Sequence, residues 1–285
     1  MNRFLKGAMI LTIAGIIVKI IGAFSKVLIA RILGGEGIGL YMMAYPIYQI
    51  IVSISAAGIP VAISIMIAEK LANRDIRGVQ QVFNVSLRVL TLVGIVFSVG
   101  LYASAEWLIK WHIITDPRAL IPIQLLSPAI IVVTILSCFR GYFQGFQYMV
   151  PTGTSQVFEQ IFRVGSMVGL AYYFIDSGLH LAAGGATFAT FPGVLAGLIV
   201  LIYFYRSQRN LRHQMLTEQN ETAPIETNGT VIKRLFALAI PVSMANIMLP
   251  MVSLIDTFIV PKRLMDIGYY LHEATTQFGY LTGMA

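Results

Sequence analysis

The stretch GAMILTIAGIIVKIIGAFSKVLIARIL, residues 7–33, decides the fold of this chain. With a rise of about 1.5 Å per residue, about 20 apolar residues in a helix cross the roughly 30 Å hydrocarbon core of a bilayer. This stretch is long enough to do so, although it contains Lys19, Lys26 and Arg31. Each such charge costs about 2.5–3.5 kcal/mol if it meets lipid, so the three basic residues need an explanation.

Lys19 and Lys26 are two helical turns apart, so both side chains project from one face of the predicted helix. We expect this face to line a water-filled cavity, because Lys19 lies about halfway along the span and cannot easily reach the headgroups. The alternative is that these side chains extend along the helix to the membrane surface and serve only as anchors. Arg31, near the end of the span, fits either interpretation.

The composition is typical of a polytopic membrane protein. Apolar residues make up 57% of the 285, charged residues make up 12%, and the mean hydropathy is +0.77, which excludes an ordinary soluble domain. A net charge of +7 would indicate a nucleic-acid partner in a soluble protein, but here we attribute it to the loops and predict no such partner. The single cysteine, Cys138, excludes an internal disulfide and a thiolate metal cluster.

Long apolar runs recur along the chain. All are much longer than strands, so the sequence predicts an all-α, polytopic membrane helix bundle with seven or eight transmembrane helices. Lys and Arg are more frequent in the connecting segments on the side of the N-terminus, which predicts a cytoplasmic N-terminus and a multi-pass protein of the bacterial plasma membrane. Seven complete spans are predicted at 7–31, 40–68, 81–105, 119–140, 150–175, 182–205 and 232–260, and an eighth begins near Ile267.

A polar stretch divides the chain into two parts. Residues 207–230 are first basic and then acidic, and we interpret them as a cytoplasmic linker. A weak repeat, GIGLY at 37–41 and DIGYY at 266–270, supports this boundary, and transporters are often built from such repeats. The sequence therefore predicts an N-terminal lobe of six transmembrane helices at 1–206 and the truncated start of a second lobe at 231–285. The full-length protein is predicted to be a monomer.

Polar residues occur inside several predicted spans. In the fifth, Glu159 and Arg163 lie on one helical face and can pair at a spacing of four residues. This pair could be purely structural or could line a cavity. Arg88 in the third span is either an anchor or a cavity residue. Gln49 and Ser53 in the second lie between two prolines, which predict kinks where cavity water or neighbouring groups satisfy the freed carbonyls.

The seventh predicted span contains an isolated carboxylate, Asp256. It has no basic residue within a helical turn, so in the bilayer it would be protonated or would bind a cation. We predict that Asp256 and Asn246 couple transport to Na⁺ or H⁺; the alternative is simple exposure of Asp256 near the outer end of the span. No other cofactor and no metal site are predicted, because the four histidines are scattered and no phosphate-binding glycine loop occurs.

Glycines at a spacing of four residues recur in three of the predicted spans. Small residues at this spacing allow two membrane helices to approach closely. The sequence therefore predicts close helix contacts at Gly141 and Gly145, at Gly165 and Gly169, and at Gly193 and Gly197.

The run from Ile29 to Lys70 carries a family resemblance. Its pattern is a basic residue, then Leu-Gly, Gly-x-Gly-x-Tyr, Pro-x-Tyr, Gly-x-Pro-x-Ala-x-Ser and Ala-Glu. The pattern resembles the start of the multidrug, oligosaccharidyl-lipid and polysaccharide exporter superfamily. It is most similar to the polysaccharide biosynthesis branch, which includes stage V sporulation protein B and MurJ-like lipid II flippases. The resemblance implies a two-lobed fold like that of multidrug (MATE) exporters, of which this chain covers about the first half.

The resemblance also implies a function and a site. Members of this branch move a polyprenyl-pyrophosphate-linked oligosaccharide across the plasma membrane by alternating access, through a cationic cavity between the lobes. Lys19 matches one cavity arginine of MurJ-like proteins, and Lys26 lies beside the position of a second. Asp256 resembles a carboxylate that contributes to a sodium site in some relatives. The complete predicted substrate cavity comprises Lys19, Lys26, Arg31, Gln49, Ser53, Arg88, Glu159 and Arg163.

Three other functions are weighed against the flippase. A cation-coupled multidrug exporter would favour acidic cavity residues, whereas Lys19 and Lys26 are basic. A membrane enzyme that polymerises polyprenyl-linked sugars would need a large outer loop with paired acidic or basic residues, and the longest predicted outer loop is only 106–118. A scaffold without transport activity would tolerate neutralisation of both lysines. Because phosphate oxygens accept charge-assisted hydrogen bonds from Lys and Arg, the sequence favours the flippase and predicts no enzymatic activity.

Overall fold

The computed structural model describes residues 3–111, 113–208 and 226–284, and within these ranges the chain is helical with no strand. The predicted all-α membrane helix bundle is confirmed. Most of the predicted linker, 209–225, lies outside the described residues. The α-helices are α1 (Arg3–Val52), α2 (Ile59–Ala72), α3 (Ile76–Lys110), α4 (Leu120–Gly145), α5 (Val150–Phe174), α6 (Leu179–Phe188), α7 (Thr190–Ser207), α8 (Asn228–Asp266) and α9 (Leu271–Gly279).

Helix α1 contains the first predicted span and the beginning of the second. Its two halves meet at Gly34, whose backbone angles of φ 63° and ψ −175° are not helical. Glycine adopts a positive φ without the steric cost that a Cβ would impose, so the chain turns here between two membrane crossings.

Five helical stretches of the described chain are long and apolar enough to cross a membrane, counting α1 with α2 and α6 with α7. Helix α5 is outside this set because its polar side chains lower its hydropathy. It packs against α1, α6 and α7, so much of its polar face is directed into the bundle.

The predicted kink in the second span is present. A short π-helix, Ser53–Ala57, separates α1 from α2 and is followed by Gly58. The backbone N–H of Gly58 donates to the Ser243 hydroxyl of α8 at 3.1 Å. An added Cβ at Gly58 would lie 2.1 Å from the Ala239 carbonyl oxygen, so this glycine lets α8 pack directly against the kink.

The sixth predicted span, 182–205, lies within one stretch long and apolar enough to cross a membrane, Leu179–Ser207, which the structure divides into two helices. Helix α6 ends at Phe188 and α7 begins at Thr190. Pro192 explains the break, because proline lacks an N–H and its ring clashes with the carbonyl four residues earlier in a continuous helix. The run is apolar on both sides of the break, so its hydropathy did not reveal it.

Two of the three predicted glycine contacts are present. Added Cβ atoms at Gly141 and Gly193 would lie 2.9 Å from the carbonyl oxygens of Pro60 and Glu159, respectively. The third predicted contact, at Gly165 and Gly169, is not formed within the described chain, because a Cβ added at either glycine meets no described atom of another helix within 4 Å. Spacing alone shows that two small residues share a face, but it does not show which face meets another helix.

Polar contacts hold α8 and α9 against the first helices at both ends of the bundle. At one end, the fully buried Asp116 accepts hydrogen bonds from the Arg118 guanidinium and, at 3.1 Å, from the Thr275 hydroxyl of α9. At the other end, the Lys70 ammonium pairs with Asp75 at 3.2 Å and with Glu226 at 2.7 Å. The candidate site lies between these two ends.

Candidate functional site

A cavity of about 650 Å³ lies between the second half of α1 and α8, with α9 and the residues after it at its side. It brings together four residues that the sequence assigned to two separate roles, namely Gln49 and Ser53 for substrate and Asn246 and Asp256 for a cation. The full lining comprises Met42, Tyr45, Pro46, Gln49, Val52, Ser53, Ala57, Asn246, Leu249, Pro250, Ser253, Asp256, Thr257, Phe278, Leu281 and Thr282.

The α8 wall of this larger cavity offers oxygen atoms around one carboxylate. Asp256 is half-buried and forms no ion pair with any described residue. The hydroxyls of Ser253 and Thr257 donate to backbone carbonyls of their own helix at 3.4 and 2.8 Å. Because their protons are used in this way, the lone pairs of both oxygens remain available as acceptors. One carboxylate beside neutral oxygens suits a proton or a monovalent cation.

A smaller cavity of about 200 Å³ lies between the first half of α1 and α5. Its polar lining includes Lys26 from α1 and Arg163 from α5, with Ser25 and Gln160 beside them. Two predicted cationic residues from different helices therefore line one cavity. Met42 and Tyr45 line this cavity as well as the larger one, so the two cavities adjoin at these side chains. The complete lining is Gly22, Ser25, Lys26, Ile29, Ile38, Tyr41, Met42, Tyr45, Gln160, Arg163, Val164, Met167 and Gly283.

Arg163 belongs to a three-residue ion cluster inside the bundle. It pairs with Glu159 at the predicted spacing of four residues, and Arg140 of α4 pairs with the other carboxylate oxygen at 2.7 Å. Arg140 also contacts the Ser155 hydroxyl at 3.4 Å. Only 13–24% of each of the three charged side chains is exposed. Glu159 is therefore shared between two arginines and does not form the isolated pair that the sequence suggested.

Three tyrosines of α1 form a row beside the cavities. The rings of Tyr41 and Tyr45 are stacked with centroids 5.3 Å apart, and Tyr48 follows at 5.9 Å from Tyr45. Tyr45 faces both cavities, so an aromatic ring forms part of the wall that they share.

The remaining predicted cationic residues lie elsewhere. Among the described residues, Lys19, Arg31 and Arg88 are exposed and line neither cavity. Lys19 is on the same face of α1 as Lys26 but two turns closer to the N-terminus, which places it beyond the smaller cavity. Their assignment to the substrate site stays a prediction.

Sequence reasoning missed Arg140. Arg140 is the last residue of the fourth predicted span and was given no role there, whereas the structure directs its side chain to Glu159. The available signal was its position in the run SCFRGYF, where an arginine is flanked by apolar residues. Tyr45 was also missed, because a tyrosine in an apolar span gives no sign of facing a cavity.

Comparison with known proteins gives consistent matches along the chain. The family described as "Polysaccharide biosynthesis protein" matches residues 4–270. Stage V sporulation protein B of Bacillus subtilis strain 168 is 30% identical over 284 residues, covering 100% of this chain and 54% of that protein. Lipid II flippase MurJ of the same organism is 27% identical over 286 residues, covering 97% of this chain and 52% of that protein. The chain thus spans about half the length of the curated relatives it matches.

The fold also matches solved transporter structures. The crystal structure of a MATE protein in complex with MaD3S superimposes with a TM-score of 0.71 and 15% sequence identity, covering 99% of this chain and 60% of the other. At this identity the match shows a shared fold and carries no information about the ligand.

Proposed function

Because this chain belongs to the polysaccharide biosynthesis family of the multidrug, oligosaccharidyl-lipid and polysaccharide exporter superfamily, we propose that it moves a polyprenyl-pyrophosphate-linked oligosaccharide across the plasma membrane by alternating access. The observation that carries the proposal is the meeting of Lys26 and Arg163 in one cavity. A diphosphate is the group of such a lipid that two cations would bind. Lipid II is the first substrate to test, since a relative is named as a flippase of that lipid.

The chemistry of the smaller cavity supports this substrate class. Phosphate oxygens accept charge-assisted hydrogen bonds, which are shorter and stronger than neutral ones, and a guanidinium can donate two of them in parallel. Arg163, of which only 24% of the side chain is exposed, interacts more strongly with an anion than the exposed Lys26 does, because less water screens its charge. The larger cavity beside it has neutral polar groups and the Tyr45 ring, which are suited to the sugar portion of the same lipid.

The arrangement of the whole transporter is part of the proposal. Residues 1–206 would form one lobe, residues 231–285 would begin the second, and the substrate would pass between them. We place the N-terminus in the cytoplasm and propose a monomeric transporter that has no enzymatic activity and binds no nucleic acid.

A cation-coupled multidrug exporter is the second candidate, and Asp256 is the observation that favours it. A carboxylate in the larger cavity would attract a cationic drug. The adjoining pair of Lys26 and Arg163 would repel the same drug, so the lipid diphosphate remains the favoured substrate.

The flippase is tested by complementation of a bacterium depleted of its lipid II flippase with the gene that encodes this chain. We expect rescue of growth, and we expect the double variant Lys19→Ala/Lys26→Ala to lose it while still inserting in the membrane. Lys233→Ala, which removes an exposed charge at the start of α8, is the control that should retain rescue. Failure of the well-expressed unmutated protein would reject lipid II as its substrate. Equal rescue by the double variant would reject a cationic substrate cavity.

We further propose that Asp256, with Asn246, binds the coupling ion. In membrane vesicles, we expect transport of a labelled lipid-linked oligosaccharide to depend on a Na⁺ or H⁺ gradient, and we expect Asp256→Asn to abolish that dependence by removing the ion's counter-charge. Asp266→Asn, at the exposed end of the same helix, is the matched control and should keep it. Gradient dependence that survives in Asp256→Asn would contradict the coupling role.

A further inference from the structure

The ion cluster behind the smaller cavity has an unequal number of charges. Glu159 uses one carboxylate oxygen for Arg163 and the other for Arg140, so two positive groups share one negative group. The cluster therefore carries one net positive charge. Lys26 lines the same cavity and forms no ion pair with a described residue, which brings the total to two positive charges.

Arg163 also has donor capacity that the protein does not use. Its Nε is buried and has no hydrogen-bond partner among the described residues. Leaving a buried donor without a partner is unfavourable, and more so for a charged group. Ser25 and Gln160 add polar groups to the same cavity. A bound anion would compensate the excess positive charge and would accept a hydrogen bond from the unused donor.

The role of Arg140 becomes clear when the cluster is considered without this residue. Glu159 and Arg163 alone would form a neutral pair, and the carboxylate would compete with any anion for the Arg163 guanidinium. Arg140 binds the opposite oxygen of Glu159 at 2.7 Å and compensates its charge. It lines neither cavity within the described chain, so it acts on the ligand only through Glu159 and Arg163.

We propose that Arg140 is the positioning residue of the anion site in the cavity between α1 and α5: by binding Glu159 it keeps the cluster cationic and leaves the Arg163 guanidinium able to bind a phosphate or diphosphate group. The site deepens the proposed function and rests on it for the identity of the lipid, but not for the binding of the anion. The two charges of Lys26 and the cluster match the two charges of a diphosphate diester.

The test measures anion affinity in variants that change the cluster charge by known amounts. The probe is inorganic pyrophosphate, titrated calorimetrically into the purified chain in detergent at constant ionic strength. Arg140→Gln makes the cluster neutral, and we expect about tenfold weaker binding, because the anion then meets one net positive charge instead of two. Arg140→Lys should bind nearly as the unmutated chain does. Lys233→Gln, which removes one exposed charge far from the cavity, is the control for net charge.

The double variant Arg140→Gln/Glu159→Gln distinguishes a charge effect from a structural one. It restores one net positive charge on the cluster, so we expect it to recover most of the affinity that Arg140→Gln loses. If Arg140 served only to stabilise the fold, the double variant would bind no better than the single one. Thermal unfolding and gel filtration of each variant confirm that folded protein is compared.

Two results would overturn the proposal: no pyrophosphate binding by the unmutated chain, or equal binding by the unmutated chain, Arg140→Gln and Arg163→Gln. A parallel measurement with undecaprenyl pyrophosphate by native mass spectrometry separates this proposal from the function. If the charge pattern appears with pyrophosphate but the lipid does not bind, the anion site stands and the proposed flippase function fails.

Discussion

Glu159→Ala is expected to lower the free energy of unfolding by about 3–5 kcal/mol, because it leaves two buried guanidinium groups without a counter-charge. The side chains of Arg140 and Arg163 are only 18% and 24% exposed, so water cannot replace the carboxylate fully. Chemical or thermal unfolding of the purified protein in detergent measures the effect.

The matched control is Glu69→Ala, which also removes a carboxylate paired with an arginine. Glu69 and Arg234 are 45% and 36% exposed, and exposed ion pairs contribute about 0–1 kcal/mol. We therefore expect Glu69→Ala to shift the unfolding transition little. Similar destabilisation by both variants would show that the Glu159 cluster is as well hydrated as a surface ion pair, and would contradict its description as buried.

Gly39→Ala is expected to destabilise the protein by about 2–3 kcal/mol, because it forces a Cβ into a closely packed helix contact. The added atom would lie 2.1 Å from the carbonyl oxygen of Thr275, which is backbone of α9 and cannot rotate away. To relieve the clash, α9 must move, and the hydrogen bond from Thr275 to Asp116 is then strained or lost. The unfolding midpoint and the rate of proteolysis after α8 report this displacement.

Gly15→Ala on the same helix is the control. A Cβ added at Gly15 meets no described atom within 4 Å, and alanine favours the helix over glycine by up to about 1 kcal/mol. Gly39→Ala should therefore lower the free energy of unfolding, whereas Gly15→Ala should raise it. If Gly39→Ala were neutral or stabilising, the close contact between α1 and α9 would not exist in solution.

Several features of the site could be read from the residues. The unpaired Asp256, the pair of Glu159 and Arg163, and the kink near Ser53 all appear where spacing or isolation in an apolar span indicated them. These features depend on neighbours within one or two turns of a helix. The helical repeat determines which of these neighbours share a face, so their spacing in the sequence is enough to predict them.

Other features depend on contacts between helices that are distant in the sequence. Arg140 and Glu159 come from different helices, and no pattern in either helix shows that they meet. Likewise, no sequence pattern shows that Lys26 and Arg163 line one cavity, or that the two cavities adjoin at Tyr45. The rotation of each helix about its own axis, which spacing does not determine, decides which of its polar groups face one another.

The sequence by itself determined that this chain is a bundle of membrane helices, because the hydrocarbon core requires long apolar segments whose backbone polar groups are satisfied internally. It also determined that the chain turns between the first two spans, which end and begin at residues 31 and 40, and that the second span kinks between its two prolines. Only the tertiary structure decided which charges are buried together and which are exposed. That outcome depends on packing at close range, where a buried charge must find its partner on a neighbouring helix, and Arg140 finds it in Glu159.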